Sequence, residues 1–324
     1  MLRVAIFGAG RWGTRLIQSV QGKSGKITFV TVVTRDIDSK RDLAFRFGLK
    51  LTTRYEDVLS DPDIDAVVLA TPHSQHADQI VAAAQAGKHM FVEKPFTLTR
   101  ADAERAVAVC KAAGITLQVG FNRRYAPAYV EMQKRIAAGV IGTLRHLEGH
   151  FSGPPSYQTE PGNWRSNQFE SPGGAMTARG VHVLDSMLHL AGRIESVFAL
   201  SQKLQHTIDV DDTTVSALRF ASGATGLLAT LHAASLFYRI HAFGSAGALE
   251  MRGETELLLY DLDGRVQCVD YAPVDKERAV LDAFADAVAR RVPFVILPEE
   301  IMNGVAATEA VVESARTGRL IRID

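Results

Sequence analysis

From residue 3 to about residue 120, short β-branched runs alternate with longer stretches of helical periodicity. That is the pattern of a parallel sheet with helices on both faces. Strands are predicted at 3–8, 27–34, 49–52, 65–70, 89–93 and 116–119. Between them, 74–86 and 99–113 read as helices, closed by Gly87 and Gly114 where a left-handed residue ends a helix. This half reads as α/β, a doubly wound parallel sheet.

After Gly120 the texture changes. A helical stretch at 126–138 is followed by a Gly/Pro/Ser-rich segment from Ser152 to Gly174 and a short helix at 181–191. Between 193 and 271 come apolar runs such as Thr214–Phe220 and Gly226–His232, separated by turn signals such as Ala221-Ser222-Gly223 and Leu262-Asp263-Gly264. They predict a large, mainly antiparallel open-faced sheet, making this half α+β. Helical periodicity returns at 277–291 and 299–316, and 319–323 reads as a last strand. One face of that sheet can pack on helices of its own chain. The other has no evident cover, which predicts a homodimer or homotetramer built through it. At 324 residues the chain suits two domains better than one, and the change of texture divides it at 1–121 and 122–324.

Hydrophobic residues at 47% and charged residues at 22% argue for packed cores and against disorder. The 36 basic and 36 acidic residues cancel, and no dense basic block with interleaved aromatics occurs, so nucleic acid is not an expected partner. The longest apolar runs, such as Asp65–Ala70, are too short to span a membrane. Cys110 and Cys268 belong to no metal or disulfide spacing. With Met1 and Leu2 running directly into the first strand and leaving no room for a signal peptide, a cytoplasmic protein is expected.

Gly8-Ala9-Gly10-Arg11-Trp12-Gly13 closes a predicted strand and opens a predicted helix, the context in which a GxGxxG pattern binds a dinucleotide on a Rossmann domain. Gly8 permits the tight turn, Gly10 lets the backbone approach the pyrophosphate, and Gly13 lets the helix pack close, its amides facing the anion. About twenty residues on, the second strand ends in Val33-Thr34-Arg35-Asp36. A carboxylate at the strand end suits the ribose of NAD, whereas Thr34 followed by Arg35 suits the extra phosphate of NADP. NADP(H) is therefore favoured, with NAD(H) as the alternative if Asp36 turns in to the ribose.

Gly87-Lys88-His89-Met90-Phe91-Val92-Glu93-Lys94-Pro95 carries more specific information. Together with Ala70-Thr71-Pro72 and His76, Gly120-Phe121-Asn122-Arg123-Arg124-Tyr125 and Gly180-Val181-His182, it resembles the glucose-fructose oxidoreductase/inositol dehydrogenase/rhizopine catabolism (Gfo/Idh/MocA) family over essentially the whole chain. The resemblance implies an NAD(P)-dependent oxidoreductase that moves a hydride between nicotinamide C4 and a secondary alcohol or ketone of a sugar, cyclic polyol or dihydrodiol. It implies that Thr71, Pro72, His76, Glu93, Lys94 and Asn122 join Gly8, Gly10, Arg11, Trp12, Gly13, Thr34 and Arg35 in holding the cofactor. Lys94 and His182 become the catalytic pair. A lysine beside an oxidised nicotinamide is pushed toward its neutral form, and a histidine titrates near working pH, so each can handle the alcohol proton. Proline after Lys94 restricts it to extended backbone and can itself be cis.

One departure stands out. Many members carry an aspartate four residues before the histidine, and here that place holds Ala178. The substrate pocket is then left to Lys94, His182, Arg123, Tyr125, Trp164, Arg165 and Arg179, with Asn163 beside them. Asp185 and His189 follow His182 at helical spacing, but a further ligand is not evident, and no metal is expected. Two other readings stay open: a non-catalytic protein that senses dinucleotide and ligand, and an NAD-dependent redox-initiated glycosidase.

Overall fold

A computed structural model describes residues 1–154 and 160–324, so part of the Gly/Pro/Ser-rich segment lies outside the described residues. The chain divides into two compact units, one of Met1–Thr97, Ala101–Asn122 and Asp275–Ile301, the other of Leu98–Arg100, Arg123–Val274 and Met302–Asp324. Both units are thus discontinuous in sequence: residues 275–301 return to the first before 302–324 complete the second.

The first unit holds β1 (Leu2–Phe7), α1 (Arg11–Val20), β2 (Ile27–Val33), α2 (Arg41–Phe47), β3 (Lys50–Thr52), α3 (Tyr55–Leu59), β4 (Ala66–Leu69), α4 (His76–Gln85), β5 (His89–Val92), α5 (Arg100–Ala113) and β6 (Leu117–Val119). The strands lie in the order β3-β2-β1-β4-β5-β6, all parallel. Val4–Phe7, Ala66–Leu69 and Met90–Val92 are buried, as a sheet covered on both faces requires. Between β1 and β4 the strand order reverses, which opens a crevice at the carboxyl edge.

The second unit holds α6 (Pro127–Ala137), β7 (Leu144–Ser152), a π-helical turn (Met176–Gly180) running into α7 (Val181–Ala191), then β8 (Ile194–Gln202), β9 (Thr213–Phe220), β10 (Thr225–Leu231), β11 (Phe237–Gly244), β12 (Ala248–Arg252), β13 (Glu256–Tyr260) and β14 (Val266–Asp270). Helix α8 (Lys276–Ala289) belongs to the first unit, and the chain ends with α9 (Pro298–Thr317) and β15 (Ile321–Arg322). Nine strands form the order β14-β13-β12-β11-β7-β10-β9-β8-β15, antiparallel except where β7 meets β10.

Strand β7 lies inside this sheet, yet its sequence Leu-Arg-His-Leu-Glu-Gly-His-Phe-Ser does not read as a strand by composition, because Glu, Gly and charged residues interrupt the β-formers. Only the alternation, with Leu147, Gly149 and Phe151 facing in, betrays it. Gly149 is required by packing: a Cβ there would collide with Val183 of α7. That close approach seats α7 on the sheet over a core that includes Leu147, Leu184, Met187 and Leu228. The opposite face exposes Phe198, Leu200, Val215 and Leu227 on the neighbouring strands β8, β9 and β10. Among the described residues no helix is long and apolar enough to cross a membrane.

Candidate functional site

In the first unit the glycine loop has the shape its sequence implies. Gly8 has a φ of +91°, and a Cβ on it would lie 2.6 Å from the Ala70 carbonyl oxygen at the end of β4. A Cβ on Gly13 would strike the Gly8 carbonyl, so α1 packs against the turn itself. Gly10 is different: nothing lies within 4 Å of where its Cβ would be. It caps α1 without a side-chain hydrogen bond, and no acidic residue occupies the first turn. Open space therefore lies beside Gly10 at the positive end of α1, and a pyrophosphate fits there by charge and by room. Trp12 lies in that first turn with its indole N–H buried and unbonded.

At the end of β2, Arg35 and Asp36 take different courses. Arg35 is exposed and has no ion-pair partner among the described residues. Asp36 folds back on its own loop, where its carboxylate accepts from the Ser39 amide at 3.1 Å. That bond and the Ser39 hydroxyl hold the Asp36 carboxyl below its usual range.

Of the motif residues at the carboxyl edge, several support the site from beneath. His76 is fully buried, with Nδ1 3.0 Å from the Pro95 carbonyl oxygen and 3.2 Å from that of Phe96, and Nε2 3.3 Å from the Thr71 carbonyl oxygen. It ties the Thr71-Pro72 segment to the Lys94-Pro95 turn, whose peptide bond is cis. Thr71 turns its hydroxyl to Gln79 at 2.6 Å. Glu93 is buried and packs over Gly120, where a Cβ would come 2.8 Å from Oε1. Lys94 is half-buried. Asn122 donates from Nδ2 to Glu277 at 3.1 Å and keeps its buried Oδ1 unbonded. Glu277 also receives Arg15 at 3.3 Å. The sequence offered no sign of Glu277, because 155 residues separate it from Asn122.

In the second unit the central feature is Phe151 on β7, which the motif pattern did not mark. His182, 7% exposed on the first turn of α7, places its ring 6.3 Å from that of Phe151. The Arg123 guanidinium lies 4.3 Å over the Phe151 ring and 4.5 Å over Tyr238, and it pairs with Glu254. The Arg179 guanidinium lies 5.7 Å from the same Phe151 ring. It donates to the carbonyls of Gly153, Leu231 and Pro154 at 2.9, 2.9 and 3.0 Å.

Other candidates have partners of their own. Asp185 takes a fork from Arg124 at 2.7 to 3.1 Å, and His189 meets the Tyr129 hydroxyl at 2.9 Å, so neither is arranged with His182 around a common point. Arg165 stacks 3.8 Å over Trp164, and Asn163 accepts the Arg165 amide at 3.0 Å. Tyr125 and Ala178 are half-buried.

Residues 2–121 match the model of an oxidoreductase family with an NAD-binding Rossmann fold, and 129–250 match the GFO/IDH/MocA C-terminal domain. The chain is 28% identical over 278 residues to myo-inositol 2-dehydrogenase of Thermotoga maritima, spanning 81% of this chain and 79% of that protein. It is 33% identical over 235 residues to scyllo-inositol 2-dehydrogenase (NAD(+)) of Bacillus subtilis, 69% and 66% of the two. The solved structure of levoglucosan dehydrogenase with NADH superposes with a TM-score of 0.90 over 100% of this chain and 99% of that one; at 23% identity this is a likeness of fold.

Proposed function

This chain belongs to the Gfo/Idh/MocA family of oxidoreductases, and from that premise we propose that it transfers a hydride between a nicotinamide dinucleotide and a secondary alcohol or ketone of a sugar or cyclic polyol. The observation that carries the reading is the Gly10 cradle, an uncapped helix N-terminus at the crevice of a parallel sheet with open space above it. When bound, the dinucleotide supplies the hydride chemistry. Lys94, at the carboxyl edge of the same sheet, and His182, on α7 of the second unit, are each suited by chemistry to handle the alcohol proton. His76 and Glu93 hold the Lys94 turn rather than touch substrate. The free Arg35 fork and the withdrawal of Asp36 into its own loop favour NADP(H) over NAD(H).

The working form is a cytoplasmic homodimer or homotetramer, assembled by covering Phe198, Leu200, Val215 and Leu227. Nicotinamide absorbance in the presence of a panel of polyols, sugars and their keto forms, with each cofactor, tests the function. Turnover of at least one secondary alcohol is expected, and none with either cofactor would overturn it.

A further inference from the structure

Three arginines cluster near His182 in the second unit, and two have carboxylate partners. Arg123 has Glu254 and Arg124 has Asp185. Among the described residues Arg179 has only carbonyls. Burial pushes its pKa down, and the Arg123 cation pushes it in the same direction. Residues 155–159, just beyond its Pro154 contact, are Pro-Ser-Tyr-Gln-Thr and contain no acid that could neutralise it. A partly desolvated cation beside another cation is costly unless an anion completes it.

Its donors are not exhausted. A guanidinium carries five N–H groups; three serve the carbonyls, leaving Nε–H and one N–H of Nη2 for two oxygens of a planar or tetrahedral anion. Arg179 lies three residues before His182 on one continuous helical stretch, and both flank the Phe151 ring. One small molecule can therefore meet both. At the adjoining position Ala178 has only a methyl group, which offers no acceptor to neutral hydroxyls and no competing negative charge.

We propose that the substrate carries an anionic group, carboxylate or phosphate, which Arg179 binds while the reacting alcohol carbon lies at His182. This rests on the hydride-transfer reading above and narrows it from neutral polyols to acidic sugar derivatives.

The test compares wild-type turnover of D-glucuronate with D-glucose, D-galacturonate with D-galactose, and glucose 6-phosphate with glucose, at saturating cofactor. At least one acid is expected to exceed its neutral parent in kcat/KM by about tenfold or more, the scale of a charged hydrogen-bond pair; the uronate and phosphate arms tell which anion it is. Arg179→Gln should collapse that ratio toward unity, and Arg179→Lys, which keeps the charge and loses the fork, should restore part of it.

Thermal stabilisation of the cofactor-loaded protein by the same acids, against their neutral parents, gives a reading independent of turnover. Stabilisation in wild type that Arg179→Gln abolishes supports the anion site even if no sugar is oxidised, in which case only the hydride-transfer reading fails. Should Arg179→Gln not fold, the wild-type comparison decides alone. Neutral sugars used and bound as well as every acid, or an acid preference that survives in Arg179→Gln, would overturn the inference.

Discussion

The Nδ1 of His76 lies 3.0 Å from the Pro95 carbonyl oxygen, nineteen residues further along the chain. A buried imidazole thus fixes the turn that carries Lys94. Replacing it with Ala leaves the carbonyls of Thr71, Pro95 and Phe96 without that partner, at a cost of about 1–3 kcal/mol. His76→Ala is expected to lower both thermal stability and kcat, while His76→Asn, which keeps a polar group, should recover part of each. A kcat unchanged in a destabilised His76→Ala protein would show that the Lys94 turn does not depend on this contact.

Cofactor choice should follow Arg35. NADPH is expected to bind more tightly than NADH, and Arg35→Ala to lose most of the difference, on the order of the tenfold or more that a charged hydrogen bond supplies. Dissociation constants by nicotinamide fluorescence read this directly, and equal constants in wild type would reject it.

Removal of either acid/base group should slow chemistry without preventing cofactor binding. Lys94→Met and His182→Ala are each expected to lose about a hundredfold or more in single-turnover hydride transfer at saturating cofactor. Lys94→Met should be the more damaging of the two, since on the proposed reading Lys94 orders the nicotinamide region as well as the proton. Near wild-type rates for both would end the proposed mechanism.

Acid stability should report on Asp212. Its carboxylate is buried, which by itself raises the pKa. Amides of Gln205, His206 and Leu204 at 2.6 to 2.9 Å and the Thr213 hydroxyl at 3.0 Å outweigh this and lower it. A depressed folded-state pKa contributes stability that is present above the unfolded value and lost as pH falls through the folded one. Asp212→Asn is therefore expected to cost about 1–3 kcal/mol at neutral pH, with the gap to wild type narrowing below about pH 4. Urea denaturation at neutral and acid pH checks it; a constant gap would mean that the carboxylate charge is irrelevant.

Assembly should depend on the exposed sheet face. Light scattering at micromolar concentration is expected to find a dimer or tetramer, and Val215→Glu with Leu227→Glu to shift it toward monomer by placing charges on the apolar patch. A monomeric wild type would refute this.

By itself the sequence determined the features that depend on neighbours along the chain. The β-branched runs made the parallel strands, glycines at 8, 10 and 13 made the loop, and Glu93-Lys94-Pro95 fell at a strand end because the preceding run is apolar. An antiparallel sheet was legible from alternation and turns, although β7, with Glu148 and Gly149 inside it, was not.

Tertiary structure decided what each motif residue touches. His76, read from the sequence as a cofactor contact, makes a buried tie between two loops. Arg179 had the look of one pocket residue among several and became a cation whose partners among the described residues are carbonyls, with no carboxylate. Phe151, Glu254 and Glu277 entered only through packing across long sequence separations. The reason is physical: local pattern fixes backbone conformation and which face is apolar. Hydrogen-bond partners and charge compensation depend instead on groups brought together from distant segments, which no local window of sequence contains.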